Sequence, residues 1–178
     1  RLEPCKMEMV DLADNIESVD SLNVDPSMSA TDMLKSGKRL SSDCDEQLFL
    51  YFVFRNPCKL QSIIFHAPND GSRPNKLRLY INTNTFDFEM QEPPTQELAI
   101  TWVEEGGKMR GTAALRFVKF QLVTKLGILI DDNVGGEDVT TVDGVQIFGQ
   151  LIDTSGAKHS ISMKGHEDQS YSLGGQGY

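Results

Sequence analysis

The chain has 178 residues, with 17 Lys and Arg against 26 Asp and Glu, a formal net charge of −9. That length suits a single core; 39% hydrophobic and 24% charged residues is the composition of a folded globular domain rather than a disordered one. The deficit of cations argues against nucleic acid, whose binders cluster Lys and Arg to displace counterions, and against an anionic membrane surface.

No apolar run approaches the ~18 residues of a membrane helix, and Arg1–Lys6 lacks the apolar core of a secretory leader. Cys5, Cys44 and Cys58 are odd in number and show no metal-finger spacing. Reduced thiols in the cytoplasm or nucleus are therefore expected, as is a monomer.

Residues 1–9 read as a flexible arm. The spaced apolars Met7, Met9, Val10, Leu12, Ile16 and Val19 predict a short helix or a packed arm over residues 1–20. Thr31–Lys35 predicts one helical turn with Gly37 as its C-cap. From Gln47 the period turns strand-like. Gln47–Phe54 is nearly continuously apolar and reads as a strand buried on both faces. Asn56-Pro57 is predicted to turn it, and Cys58–Phe65 forms the next strand. Ala67–Pro74 is dense in turn formers and reads as a loop.

Lys76–Asn82 alternates, placing Leu77, Leu79 and Ile81 inward and Lys76, Arg78 and Tyr80 outward. Leu98–Trp102 is a short strand. Ala113–Val123 is predicted as a strand with Val118, Phe120 and Leu122 on one face and Phe117, Lys119 and Gln121 on the other. Leu126–Ile130 and Val145–Ile152 complete the set. Seven or more short strands without long helical periodicity define an all-β sandwich or barrel. Residues 166–178 are polar and Gly-rich and are expected to form a flexible tail, and a mobile C-terminal segment bearing His159, His166 and Tyr178 is a candidate for insertion into a partner.

Cys44 lies among Asp43, Asp45 and Glu46, which would raise its thiol pKa, so a structural role outweighs a reactive one. Asp131-Asp132-Asn133 with Glu137-Asp138 has oxygen donors and a Gly135-Gly136 turn. Its spacing departs from the twelve-residue calcium loop, and no metal is assigned. His66, His159 and His166 lack ligand spacing. No nucleophile elbow, phosphate loop or dinucleotide fingerprint is present. Neither a cofactor nor a catalytic residue is assigned; an enzyme would need His66 assembled with carboxylates.

Several segments in order resemble the PITH family. They are Leu40–Leu48 with its Ser42-Asp43-Cys44-Asp45-Glu46-Gln47-Leu48 stretch, Pro57–Phe65 followed by Ala67-Pro68, Lys76–Asn82, Phe86–Glu89, Pro94–Gln96, Leu115–Gln121 and Gly144–Gly149. The resemblance covers roughly residues 10–165. Leu22-Asn23 fits a family Cys-Leu-Asn pattern, with Ser21 in place of the cysteine. Members occur C-terminal to a thioredoxin domain and as stand-alone proteins; no Cys-Gly-Pro-Cys is present here. The resemblance implies a jelly-roll β-sandwich of galactose-binding-like type, with short helical turns near the N-terminus. It also implies a non-enzymatic domain that docks on the regulatory particle of the 26S proteasome.

The candidate partner-binding residues are Asp43, Asp45 and Glu46, the most distinctive polar run, and Arg78, Tyr80 and Lys119, expected to face outward from strands. The alternative is a module for carbohydrate or a lipid headgroup. Its site would be rimmed by the Pro68–Pro74 and Gly135–Asp138 loops, with Trp102, Tyr80 and Phe86 as a stacking platform.

Overall fold

A computed structural model describes residues 8–154. Eleven strands and one short helix form an antiparallel sandwich. Its centre is β4, Leu48–Pro68, 21 residues in one strand. At about 3.3 Å per residue it would reach ~69 Å if straight, longer than a domain of this size is wide, so the chain turns a corner. Leu48–Phe54 pairs with β2 (Ile16–Leu22) on one side and β9 (Val123–Ile130) on the other. Cys58–Pro68 pairs instead with β11 (Gly144–Leu151) and β8 (Lys108–Ala114). The predicted turn at Asn56-Pro57 is this corner. Buried Asn15 staples it: its Nδ2 donates to Asn56 O at 2.9 Å, and its Oδ1 accepts Asn56 N–H at 3.0 Å.

Two five-stranded layers result. The first runs β2, β4, β9, β5 (Lys76–Ile81), β6 (Gln96–Ala99); the second runs β1 (Val10–Asp11), β11, β4, β8, β7 (Thr101–Glu105). Leu48, Leu50, Phe52 and Phe54 from one half of β4, with Ile63, Phe65 and Ala67 from the other, fill the space between the layers. Each of these Leu, Ile and Phe side chains contributes roughly 1.5–3 kcal/mol on burial. A two-stranded ladder, β3 (Leu40–Ser41) with β10 (Thr141–Val142), closes one end.

Helix α1, Ala30–Ser36, starts at Ser29, whose Oγ accepts Asp32 N–H, and ends at Gly37, φ +63°. The predicted C-cap is thus present, and glycine suits the left-handed conformation it adopts. Elsewhere the structure corrects the sequence reading. The N-terminal apolars serve strands β1 and β2 joined by a 3-10 turn, Ala13–Asn15, because edge pairing to β11 and β4 outcompetes the weak helical period. The predicted strand 113–123 breaks. β8 ends at Ala114, and Phe117–Lys119 is a 3-10 turn that buries Phe120 but leaves Val118 83% and Leu122 59% exposed. No helix among the described residues is long and apolar enough to cross a membrane. The expected arm and tail fall largely on residues 1–7 and 155–178, outside the described residues.

Candidate functional site

Both ends of β4 and the segments that follow β2 and β9 converge at one end of the sandwich. Two asparagines hold this end. Asn23, in the left-handed region at φ 60°, donates from Nδ2 to Asp45 Oδ1 at 2.8 Å and to Gln47 O, while its Oδ1 accepts Cys44 N–H at 3.0 Å. Asn is among the few non-glycine residues that tolerate this backbone, and its amide can serve as both donor and acceptor. Asn133, 5% exposed, does the same for the second loop. Its Nδ2 donates to Glu137 O at 2.8 Å and Val139 O at 3.1 Å, and its Oδ1 accepts Glu137 N–H at 2.7 Å. Buried Thr140 joins the loops by donating from N to Ser42 Oγ at 2.9 Å and from Oγ1 to Glu46 O at 2.6 Å.

This frame brings Asp45 and Glu46 beside Asp132, Glu137 and Asp138, with Cys44 between them, around a concavity of about 480 Å³. Asp43 lies exposed on the same loop. Asp45 is committed to the turn, since its Oδ1 also accepts Gln47 N–H at 3.0 Å. Cys44 is fully exposed, and its thiol pKa is pushed up by the charge of Asp43, by a hydrogen bond to that carboxylate and by Asp45. An exposed thiol held protonated is a poor nucleophile. Cys58 is buried and donates to Val123 O at 3.4 Å; desolvation raises its pKa to about 12. Among the described residues no group of three or more His, Cys, Asp or Glu is placed to hold a metal ion. The amide of Asn133 is already spent on its own loop.

The remaining expected contacts disperse. Arg78 faces outward from β5 but pairs with Asp131, donating from Nε at 2.8 Å and through Nη2. Half exposed, that pair contributes no more than about 1 kcal/mol. Tyr80 is a correction: it is 2% exposed, packed with Phe49 and Leu129, because the segment between β5 and β6 folds Phe86, Phe88 and Met90 over this face. Lys119 sits at the opposite end on the 3-10 turn, donating to Thr95 O at 3.2 Å. The stacking platform does not form. Phe86 packs edge-on to Phe49 at 4.7 Å, while Trp102 lies on β7 with Nε1 bonded to Pro74 O at 2.8 Å. The two loops expected to rim a ligand site bond to each other instead, Gly135 N–H to Gly71 O at 2.8 Å and Val134 N–H to Arg73 O at 3.0 Å.

Among the described residues, His66 is linked to a carboxylate through an amide. Its Nε2 lies 2.9 Å from Gln146 Oε1, and Gln146 Nε2 donates to Asp11 Oδ2 at 3.1 Å. Sequence reasoning missed the organising roles of Asn23 and Asn133. The available signal was an asparagine beside each acidic loop, the residue type that bonds its neighbours' backbone.

The fold defines the class: a jelly roll of galactose-binding-like type. Similar structures include a family 32 carbohydrate-binding module from Clostridium perfringens in complex with galactose, with a TM-score of 0.56, 11% identity, and coverage of 79% of this chain and 99% of that one. Another is a fucolectin from striped bass (Morone saxatilis) serum, with a TM-score of 0.57, 10% identity, and coverage of 83% and 51%. At such identities the likeness shows the fold alone.

The chain belongs to the PITH family, whose domain profile matches residues 7–167. Thioredoxin-like protein 1 of Schizosaccharomyces pombe is 38% identical over 122 residues, 65% of this chain and 41% of that protein. PITH domain-containing protein 1 of Homo sapiens is 30% identical over 131 residues, 73% of this chain and 59% of that protein. The chain thus spans only 41% and 59% of these two relatives.

Proposed function

We propose that this domain is a non-catalytic docking module that fastens its polypeptide to the regulatory particle of the 26S proteasome, in the cytoplasm and nucleus, as a monomer. The observation that carries the reading is the loop end. There Asp43, Glu46, Asp132, Glu137 and Asp138 are gathered on loops clamped by Asn23 and Asn133. Fixed, like-charged side chains steer a basic partner surface and select against acidic ones. Membership of the PITH family, with the partner that this resemblance implies, supports the choice of partner. The closure of the two rim loops on each other favours this reading over a small-ligand module.

The test is binding of the full chain to purified 26S proteasome by biolayer interferometry at low and moderate salt. The variant combines Asp43→Asn, Glu46→Gln, Glu137→Gln and Asp138→Asn; Asp45 is left intact because it builds the turn. The expected result is salt-sensitive binding, weakened at least ~10-fold in the variant, mainly through the association rate. No binding by the wild-type chain overturns the partner; equal binding by the variant overturns the surface.

A further inference from the structure

Along one side no strand joins the two layers among the described residues, and α1 packs across the gap against β2 and β11. There the first layer ends on β2, which pairs only with β4 among the described residues. The second layer ends on β11, and β1 covers it only at Phe148 and Gly149, with Leu12 N–H bonding Ile147 O. Between the two edges runs a groove of about 710 Å³, bridged by α1. Its apolar lining comes from Ile16, Val19, Leu34, Val145 and Ile147. The outer edge of β2, paired with no strand among the described residues, offers its N–H and C=O groups as a template for one more strand.

Charge decides what kind of strand. Four carboxylates line the groove, Asp11, Asp14, Glu17 and Asp20, against two cations, Lys35 and Arg55. Asp14, Glu17 and Asp20 are exposed, and none makes an ion pair among the described residues. The pairing of β2 shifts register between Ile16 and Ser18, which makes Glu17 a bulge residue. Acidic side chains and a bulge are devices that keep an edge from pairing indiscriminately. A second copy would set its own acidic edge against this one, and like charges opposite one another are destabilising. A basic strand is favoured by the same charges.

We propose that the β2–β11 groove is a second binding surface, which takes an extended basic peptide segment as an added strand on β2. The occupant alternates: apolar side chains on one face meet Ile16, Val19, Leu34, Val145 and Ile147, and Lys or Arg on the other meets Glu17 and Asp20. β2 has seven residues, about 23 Å, which sets an occupant of about five to seven residues. This surface is separate from the acidic loop end, so either can fail while the other stands.

The test uses the full chain, isotope-labelled for NMR, and an acetylated, amidated hexapeptide alternating lysine and valine. Controls are the same peptide N-methylated at alternate backbone nitrogens and a glutamate–valine peptide. The expected result is amide shifts at residues 16–22 and 144–147, absent with both controls. The double variant Glu17→Lys with Asp20→Lys should bind at least ~10-fold more weakly; both positions are exposed, so the fold survives. Shifts centred on residues 43–46 and 132–138, equal binding of the N-methylated peptide, or no binding would overturn the proposal.

Discussion

The two outer faces of the sandwich are built from the same alternating strands and end differently. On the first layer, Phe49, Tyr80 and Leu129 point away from the core yet are buried. Phe86, Phe88 and Met90, from the segment between β5 and β6, lie over them as a strap. Tyr51 Oη ties the strap down by donating to Thr83 O at 2.8 Å. On the second layer, the outward positions of β11, β4 and β8 include Gln146, His66, Arg110 and Thr112, all half-buried, around Ile64, 4% exposed. Nothing among the described residues covers them as the strap covers the first face. The first face is thus a small second core, and the second is a surface. Strand periodicity alone cannot distinguish them, because the covering residues come from elsewhere in the chain.

The largest effect that would break this comparison is on stability. Phe49→Ala removes the ring against which Phe86 packs at 4.7 Å and Phe88 at 6.1 Å. Thermal or urea unfolding should show a loss of about 3–5 kcal/mol. Thr112→Ala, at an outward position of the other face, should change stability by no more than about 0.5 kcal/mol. Comparable costs for the two would mean that the strap does not make a core.

That contrast explains how far the sequence could be read. The alternation in Lys76–Asn82 correctly separated Leu77 and Leu79, which enter the main core, from Arg78 and Tyr80, which do not. It could not show that Tyr80 would be roofed. Gln47–Phe54 carried the better signal: a run apolar at both parities needs cover on both sides, and the strap supplies the second. Phe117–Leu122 misled because a 3-10 turn changes the period within three residues, sending Val118 outward and Phe120 inward. At the acidic loop end the carboxylates were legible as a run. Their assembly with Glu137 and Asp138 was not, because it depends on Asn133 and Thr140 closing loops about 94 residues apart in sequence.

Glycines sharpen the comparison at a smaller scale. At Gly127, on the strap-covered face, an added Cβ would stand 3.0 Å from the Phe49 ring. Gly127→Ala should cost about 1–3 kcal/mol, as overpacking of a filled space does. At Gly144, on the open face, the nearest atom would be His66 Cδ2 at an ordinary 3.5 Å. Gly144→Ala should lie within about 0.5 kcal/mol of the wild type in the same unfolding measurement.

The strap itself should come loose before the sandwich does. Phe86 is half-buried and contacts Phe49 and Tyr51, the latter at 4.8 Å. Phe86→Ala should lower global stability by about 1–2 kcal/mol, less than Phe49→Ala, because the ring it leaves behind stays packed on the sheet. Hydrogen exchange should rise at the amides of residues 83–92 while β9 remains protected. Equal loss of protection in β9 would mean that strap and sheet open as one unit.

The smallest expected effect lies on the open face. A carboxylate accepts only, so Gln146 must turn its NH₂ to Asp11 and its carbonyl to His66. His66 then donates from Nε2 and carries its lone pair on Nδ1. Long-range ¹⁵N spectra at pH 8 should show the Nε2–H tautomer. Gln146→Leu should relax that preference while costing no more than about 1 kcal/mol, the net worth of a half-exposed hydrogen bond. An Nδ1–H tautomer in the wild type would refute the chain of donors. A cost above about 2 kcal/mol would show that this face, too, is held together as a core rather than left as a surface.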